Sequence, residues 1–413
     1  MKMPRHVAPS GAPIRLLDLA RWAGSSLPFR DAAGNLLQQI RDRFDVRHAF
    51  LISTGRAGMT LLFQALRRLA RADQDEVILP SYTCFSVAAS AVKAGLKVRL
   101  IDLDPKTLDY DLDELKRADF TRVLAIVATN LYGLPNDLPA IAAIARDHGV
   151  FFIDDAAQSM GASVGGRQCG TWGDAGVFSF DKGKNVSAID GGVLVTNSDR
   201  VASALAAELQ GLGAPRLAES SASVVKALIY FAMLRPWLYW IPDRIPQLGL
   251  GKTVFTTEFP LERPSRPLAA LALTMIDRLE EFTSIRTRNA ATLLAGLRDV
   301  SGLRAIAPVT GSVPVYLRFP LLAESEPVRN QALKTLRAAG IGATASYPLS
   351  LADVPELGAS LDARSRTVGG GREIARRILT LPTHPFVASA DLQRMIAAVG
   401  GNTVKDPVAT LTT

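Results

Sequence analysis

The sequence predicts an α/β protein with a mostly parallel sheet wrapped in helices, because short apolar runs alternate with helical patterns from about His48 onward. The runs, which we expect to be strands, are 48–53, 76–80, 97–101, 122–128, 150–153 and 192–197. Gly55, Pro80, Asn130 and Asp155 stand at or just beyond the carboxyl ends of four of them. Ligands of open parallel sheets bind at those ends, so the sequence predicts one site there.

Helical periodicity fills the segments between these runs. Helices are predicted over 57–69, 85–94, 139–148, 198–209, 268–297, 327–339 and 392–399, and one more strand over 313–319. The segment 268–297 is the longest, with Leu271, Met275, Leu279 and Phe282 on one stripe. It predicts a single long amphipathic helix.

The chain has 413 residues, too many for one ordinary hydrophobic core. We expect a large domain over 1–267, which includes an insertion at about 214–264 rich in proline and aromatic residues. A linking helix and a small C-terminal α/β domain are expected over 268–413.

Composition excludes several classes of protein. Hydrophobic residues make up 48% and charged residues 21%, which is typical of a globular protein. The net charge of +8 comes without a Lys/Arg run, so we expect no nucleic-acid partner but a surface that attracts phosphorylated small molecules. The two cysteines, Cys84 and Cys169, show neither a disulfide framework nor zinc spacing, so no metal site is predicted and a reducing compartment is favoured.

The N-terminus is basic but is not followed by an apolar stretch, so we expect no secretory signal. No window of about 18 uncharged apolar residues occurs either, and the sequence therefore predicts a cytoplasmic protein without a membrane-spanning helix.

Two side chains point to a specific chemistry. Asp155 ends an apolar run, and Lys184 follows a second apolar run, Phe178–Phe180. Pyridoxal phosphate needs both groups: a lysine amine forms a Schiff base with it, and a carboxylate pairs with its ring nitrogen. For each residue alone an ordinary alternative exists, a surface charge for Lys184 and a cap of the next turn for Asp155. Lys182 lies two residues from Lys184, and we expect one of the two side chains to point inward and the other outward.

A phosphate group requires hydrogen-bond donors at a helix N-terminus. The turn 53–58 joins a predicted strand to a predicted helix and offers backbone amides, hydroxyl groups and the guanidinium of Arg56. Ser179 adds a hydroxyl group from the run that leads to Lys184.

These motifs together resemble the DegT/StrS-type family of sugar-nucleotide aminotransferases, over about 36–399. The matching motifs are Asp155–Gln158, Gly173–Asn185, the Pro-Ser-Tyr-Thr segment at Pro80 and Asn130–Gly133. The resemblance implies fold type I of the pyridoxal-phosphate enzymes, with Lys184 as the cofactor-binding lysine and Asp155 as the ring-nitrogen partner. It further implies that Gln158 contacts the phenolic oxygen of the cofactor and that Arg56, Ala57 and Ser179 bind its phosphate.

The chain departs from the family pattern at three places. Arg56 stands where the family usually has threonine. Cys84 occupies the position of an aromatic residue that stacks on the cofactor ring, and Phe85 is displaced from it by one residue. Arg263–Arg266 replaces the Asn-x-Arg of a loop that helps to hold the substrate in the partner subunit.

The apolar segment 224–241 has two interpretations. Its tryptophans, Trp237 and Trp240, are typical of an interfacial helix that touches a membrane or covers a lipid-linked sugar. They are equally typical of a dimer interface or of packing between domains, and we favour this second interpretation.

The leading functional hypothesis is transfer of an amino group from an amino acid, glutamate by family habit, to a keto-sugar nucleotide. Such a reaction would serve amino-sugar synthesis for surface polysaccharides or secondary metabolites, in a homodimer. The alternatives are a non-sugar or lipid-linked ketone as acceptor, and a catalytically silent relative with a regulatory role. Lys184 argues against the dehydratases of the family, which carry histidine at that position.

Overall fold

The computed structural model describes residues 5–27, 29–213, 217–243 and 254–400. Within the predicted insertion, 214–216 and 244–253 therefore lie outside the described residues.

Thirteen strands and fourteen helices form the described part of the chain. The strands are β1 (His48–Ile52), β2 (Glu76–Pro80), β3 (Lys97–Ile101), β4 (Val123–Thr129), β5 (Phe151–Asp155), β6 (Ser163–Val164), β7 (Arg167–Gln168), β8 (Ala175–Ser179), β9 (Gly192–Thr196), β10 (Leu303–Ala305), β11 (Ser312–Val313), β12 (Arg318–Ala323) and β13 (Ile378–Pro382). The helices are α1 (Leu16–Ser25), α2 (Ala32–Phe44), α3 (Gly55–Leu69), α4 (Phe85–Lys93), α5 (Leu112–Lys116), α6 (Leu138–Asp147), α7 (Asp199–Gln210), α8 (Leu217–Met233), α9 (Trp240–Asp243), α10 (Arg266–Ile276), α11 (Leu279–Gly296), α12 (Glu326–Ala338), α13 (Gly370–Arg377) and α14 (Ser389–Gly400).

The large sheet has seven strands in the order β1-β9-β8-β5-β4-β2-β3. β2, β3, β4, β5 and β8 pair in parallel, and β9 runs against both β8 and β1. β1 therefore points the same way as the parallel strands, and the carboxyl ends of β1, β4, β5 and β8 meet at one edge. The predicted fold class is confirmed.

Helices cover both faces of this sheet, because alternate strand residues enter two different cores. Ile153 and Val177 pack with Phe63 of α3 and Ala89 of α4 on one face. Phe152 and Phe178 pack with α2, α6 and α10 on the other face. By this alternation Asp155 and Ser179, two residues after Ile153 and Val177, project toward the face of α3 and α4.

A second sheet, β10-β12-β13, packs with α12 and α14 around a separate core that includes Phe319, Leu336 and Met395. This unit lies within the predicted small domain, but the domain boundary at residue 267 stays a prediction.

Two elements differ from expectation. The predicted helix 268–297 is broken into α10 and α11 at Arg278, whose backbone leaves helical geometry (φ −103°, ψ 7°). The guanidinium of Arg278 bonds there to Asp18 and to Glu281. The predicted strand 313–319 is also wrong: β11 ends at Val313, Tyr316 has φ +47°, and β12 starts only at Arg318. Pro314 removes a backbone donor at the point where the strand stops.

The aromatic segment 224–241 forms the later part of α8, a turn and the start of α9. Tyr239 is buried within the chain, whereas Trp237 is 50% exposed. Within the described ranges, no helix combines the length and the apolar character needed to cross a membrane.

Candidate active site

The carboxyl edge of the large sheet gathers the predicted site residues. Asp155 ends β5, Ser179 ends β8, and the turn after β1 leads into α3. β9 begins at this edge, because Gly192 pairs with both Ile52 and Ser179. The predicted site residues from distant parts of the sequence therefore share one edge.

Asp155 and Lys184 lie close enough to interact electrostatically. Burial raises the pKa of the Asp155 carboxyl group, the amide of Ala157 opposes that shift as a donor to Oδ1 (3.0 Å), and the charge of Lys184 lowers the pKa further. One carboxylate oxygen of Asp155 thus also caps the following turn, which is the alternative role that we considered for this residue. A cation facing the carboxylate is what a protonated pyridine nitrogen would also provide.

The neighbours of these two residues have other roles. Asp154 is fully buried and accepts hydrogen bonds from Asn130 Nδ2 (2.9 Å) and from the amide of Gly170 (2.6 Å), so it fastens the loop that precedes β8. Lys182 is exposed while Lys184 is half-buried, as expected. The segment is a turn at Gly183 (φ +76°) and is not extended, so the turn and not strand alternation separates the two side chains.

The first turn of α3 forms the predicted phosphate end of the site. Thr54 caps the helix by accepting a hydrogen bond from the amide of Ala57 (3.0 Å), and Ala57 is itself buried. Ser179 faces the start of this helix: a Cβ atom at Gly55 would lie 3.5 Å from its Oγ atom. The Oγ atom of Ser53, just before the turn, is buried without a hydrogen-bond partner among the described residues.

The guanidinium of Arg56 lies over the ring of Phe259, 5.2 Å from its centroid. Lys93 contacts the same ring at 4.7 Å and donates a hydrogen bond to the carbonyl group of Thr257 (3.0 Å). The loop before α10 is thereby attached to the N-terminus of α3. No pattern in the sequence pointed to Phe259.

Gln158 is held at both ends of its amide group. Its Oε1 atom accepts from the amide of Tyr132 (3.1 Å), and its Nε2 atom donates to the hydroxyl group of Tyr347 (3.1 Å). Tyr347 lies between the second sheet and the active-site edge, where its backbone contacts Tyr82. Tyr347 is a site residue that the sequence interpretation missed, since no motif surrounds it.

Phe85 is the first residue of α4 and is buried, with its ring 6.1 Å from that of Tyr347. At the neighbouring position, Cys84 contacts Ser86 through its thiol group (3.3 Å). An aromatic ring is therefore present beside the site, on the face that carries Asp155.

Asp190 adds a second carboxyl group near the phosphate end. Burial and the nearby Asp181 raise its pKa to about 7, against the opposing influence of Lys182 and Arg56. Arg56 therefore lies within electrostatic range of this carboxyl group as well as over the ring of Phe259.

This donor set fits pyridoxal phosphate. It comprises an amine beside a buried carboxylate, and a helix N-terminus with a facing hydroxyl group, a guanidinium and an unpartnered serine oxygen. The first two groups suit the carbonyl carbon and ring nitrogen of the cofactor, and the others suit its phosphate.

The model of the DegT/DnrJ/EryC1/StrS aminotransferase family matches residues 33–233 and 262–400. The chain belongs to this family. The predicted enzyme class and cofactor, an aminotransferase dependent on pyridoxal phosphate, are thereby confirmed. The gap in the match, 234–261, falls within the aromatic insertion.

Two curated relatives and one solved structure give the range of similarity. A "pleiotropic regulatory protein" of Geobacillus stearothermophilus is 28% identical over 345 residues, which cover 83% of this chain and 82% of the relative. A GDP-perosamine synthase of Caulobacter vibrioides is 28% identical over 363 residues, 87% of this chain and 86% of the relative. The structure of the E. coli GDP-4-keto-6-deoxy-D-mannose-3-dehydratase with bound hydrated PLP aligns with a TM-score of 0.77 at 19% identity, over 96% of this chain and 99% of that one.

Proposed function

We propose that this protein transfers an amino group from an amino acid, glutamate in the simplest case, to a keto-sugar nucleotide. The observation that carries this proposal is the juxtaposition of Lys184 and Asp155 at the sheet edge of a member of an aminotransferase family. The name of the Caulobacter relative supports a sugar nucleotide as the acceptor.

Pyridoxal phosphate supplies the electron-accepting ring for this chemistry when it is bound. The Nζ atom of Lys184 would hold the carbonyl carbon of the cofactor and would move the proton between the reacting carbon atoms. The carboxylate of Asp155 would hold the ring nitrogen in its protonated form. The phosphate would be oriented by Ser179, Arg56 and the first turn of α3, which contains Ala57. Gln158 would orient the phenolic oxygen, and Phe85 would border the ring.

A homodimer in the cytoplasm belongs to the same proposal, and the location rests on sequence features alone. The regulatory alternative is favoured by one observation, the name of the Geobacillus relative. The presence of both Lys184 and Asp155 supports catalysis instead.

The decisive experiment compares Lys184→Ala with Lys182→Ala. Lys184→Ala should fold but lose the visible absorbance of bound cofactor and covalent labelling after borohydride reduction, because Nζ is the attachment point. Lys182→Ala should keep both. Labelling of Lys182 in the wild-type protein would overturn the assignment.

The acceptor is tested by mass spectrometry of the products formed from pooled keto-sugar nucleotides and glutamate. A mass shift that corresponds to replacement of a carbonyl oxygen by an amine is expected. Normal cofactor labelling with no aminated product from any sugar nucleotide would favour the non-sugar, lipid-linked or regulatory alternatives.

A further inference from the structure

Arg286 is the largest fully buried side chain that carries a charge among the described residues, with 0% exposure. It lies on α11 in phase with the apolar residues Leu279, Phe282, Ala290 and Leu293. Burying a guanidinium carries a large desolvation cost unless its donors are satisfied. A charged residue on an apolar stripe therefore calls for a specific reason.

Four neutral oxygens accept hydrogen bonds from this guanidinium. Nε donates to Asn185 Oδ1 (2.8 Å), Nη1 to the carbonyl group of Leu317 (2.9 Å) and to Thr383 Oγ1 (3.4 Å), and Nη2 to the carbonyl group of Gly11 (2.8 Å). Burial lowers the pKa of Arg286 to about 9, with a further contribution from Arg318, so the group is still protonated at neutral pH.

Asn185 is the residue next to Lys184 and is itself 2% exposed. Its Nδ2 atom donates to the carbonyl group of Met160 (3.1 Å) and to Thr283 Oγ1 (3.0 Å). Met160 follows Gln158 by two positions in the segment that starts at Asp155. One amide side chain thus joins the two segments that carry the predicted cofactor contacts.

The loop 181–189 is held at a second point by its glycine. The amide of Gly183 donates to the hydroxyl group of Tyr230 on α8 (3.1 Å), and a Cβ atom at this position would overlap Ser10 Oγ. The N-terminal segment 5–14 therefore touches the loop directly and also reaches it through Gly11 and Arg286.

We propose that Arg286 is a positioning residue for Lys184, which acts by fixing Asn185 and, through it, the spacing between the loop 181–189 and the segment 155–160. This inference rests on the proposed function, because the spacing matters only if the two segments share a cofactor. Lysine at this position could not reproduce the forked set of donors.

Arg278 provides a matched control for the test. It is also a buried arginine at the start of the same helix and donates to a carbonyl group of the N-terminal segment, that of Pro13 (2.7 Å). In contrast to Arg286, it has charged partners, Asp18 (2.8 Å) and Glu281 (3.1 Å). Arg286→Lys and Arg278→Lys should both lower the melting temperature. Only Arg286→Lys should raise the dissociation constant of pyridoxal phosphate, by about tenfold or more, and lower the fraction of Lys184 labelled by borohydride.

If Arg286→Lys does not fold, the variant Asn185→Asp still tests the positioning role. Its carboxylate still accepts from Arg286 but can no longer donate to Met160, so the folded variant should show the same loss of cofactor affinity. Equal cofactor binding in the two arginine variants, or wild-type binding in Asn185→Asp, would overturn the positioning role. A wild-type protein that neither absorbs with the cofactor nor labels at Lys184 would instead remove the proposed function itself.

Discussion

At the scale of single residues, the site depends on carboxyl groups whose protonation is set by burial. Burial raises the pKa of Asp155, and the amide of Ala157 and then the charge of Lys184 oppose that shift. A cation beside Asp155 therefore favours its ionised form.

Asp155→Asn should therefore bind pyridoxal phosphate more weakly and lose activity by orders of magnitude, since an amide cannot hold the ring nitrogen protonated. The capping bond to Ala157 survives in this variant because the amide oxygen still accepts. Activity assays and cofactor titration provide the measurement, and near-normal turnover would reduce Asp155 to a turn cap.

Asp190 gives a prediction about pH. Its pKa of about 7 in the folded protein lies above the ordinary range of an aspartate, so its contribution to stability falls as the pH rises from about 4 to about 7. Asp190→Asn removes this titration and should raise the melting temperature of the apoprotein by about 2–4 °C more at pH 8 than at pH 4.5. The exposed Asp299, changed to Asn, serves as the control. An equal shift of the melting temperature at both pH values would mean that folding does not raise the pKa of Asp190.

The residues that the sequence revealed lie in contiguous motifs at strand ends, such as Asp155 and Lys184. Tyr347, Phe259 and Arg286 were not identified because they reach the site from segments with no motif of their own. Arg286 did leave a signal, a charge in phase with the apolar stripe of α11. Such a residue indicates a buried polar network, although not which network.

At the scale of elements, the loop before α10 is attached to α3 through Phe259. The ring of Phe259 lies between Arg56 and Lys93, so the loop and the phosphate end of the site are coupled.

Arg56→Thr should lower the affinity for pyridoxal phosphate by roughly 10- to 100-fold, because a charge-assisted hydrogen bond contributes about 1.5–3 kcal/mol. Phe259→Leu should lower it less, as the guanidinium loses only its aromatic support. Lys93→Met removes the other cation from the same ring and should leave the affinity unchanged. If Arg56→Thr binds the cofactor with wild-type affinity, Arg56 does not bind the phosphate group.

The six predicted strands of the large sheet followed from apolar runs that stop at polar or glycine residues, and their boundaries were predictable to within a residue or two. The strand predicted over 313–319 was not correct. The break between α10 and α11 was not, because the apolar stripe continues through it. At the break, the guanidinium of Arg278 pairs with Glu281 of α11 and with Asp18, about 260 positions earlier in the chain. A sequence pattern does not predict a contact over that separation.

At the scale of the whole molecule, α8 exposes an apolar face. Val225, Leu228 and Ile229 are 54%, 46% and 57% exposed, and Trp237 follows on the same segment. Exposed apolar patches of this kind mark interfaces.

We expect this face to lie in a homodimer interface. Trp237→Ser should weaken the dimer in sedimentation analysis with little loss of melting temperature, whereas Tyr239→Ser, at a buried position, should destabilise the fold itself. Tryptophan fluorescence should be indifferent to anionic vesicles. A blue shift with co-sedimentation at physiological salt would instead favour membrane contact and a lipid-linked substrate.

The pairing of β1 with β9 has a consequence for how the protein is made. β1 cannot enter the sheet until residues 192–196 have left the ribosome, because its pairing partner in the sheet is β9. The N-terminal segment waits longer still, since Val7 bridges to Ile341 and the carbonyl group of Ala8 accepts from His384 (2.8 Å). Residues 7 and 8 therefore reach their final positions only after residues 341 and 384 have been synthesised, and the loop that bears Lys184, which this segment contacts, acquires its final surroundings equally late.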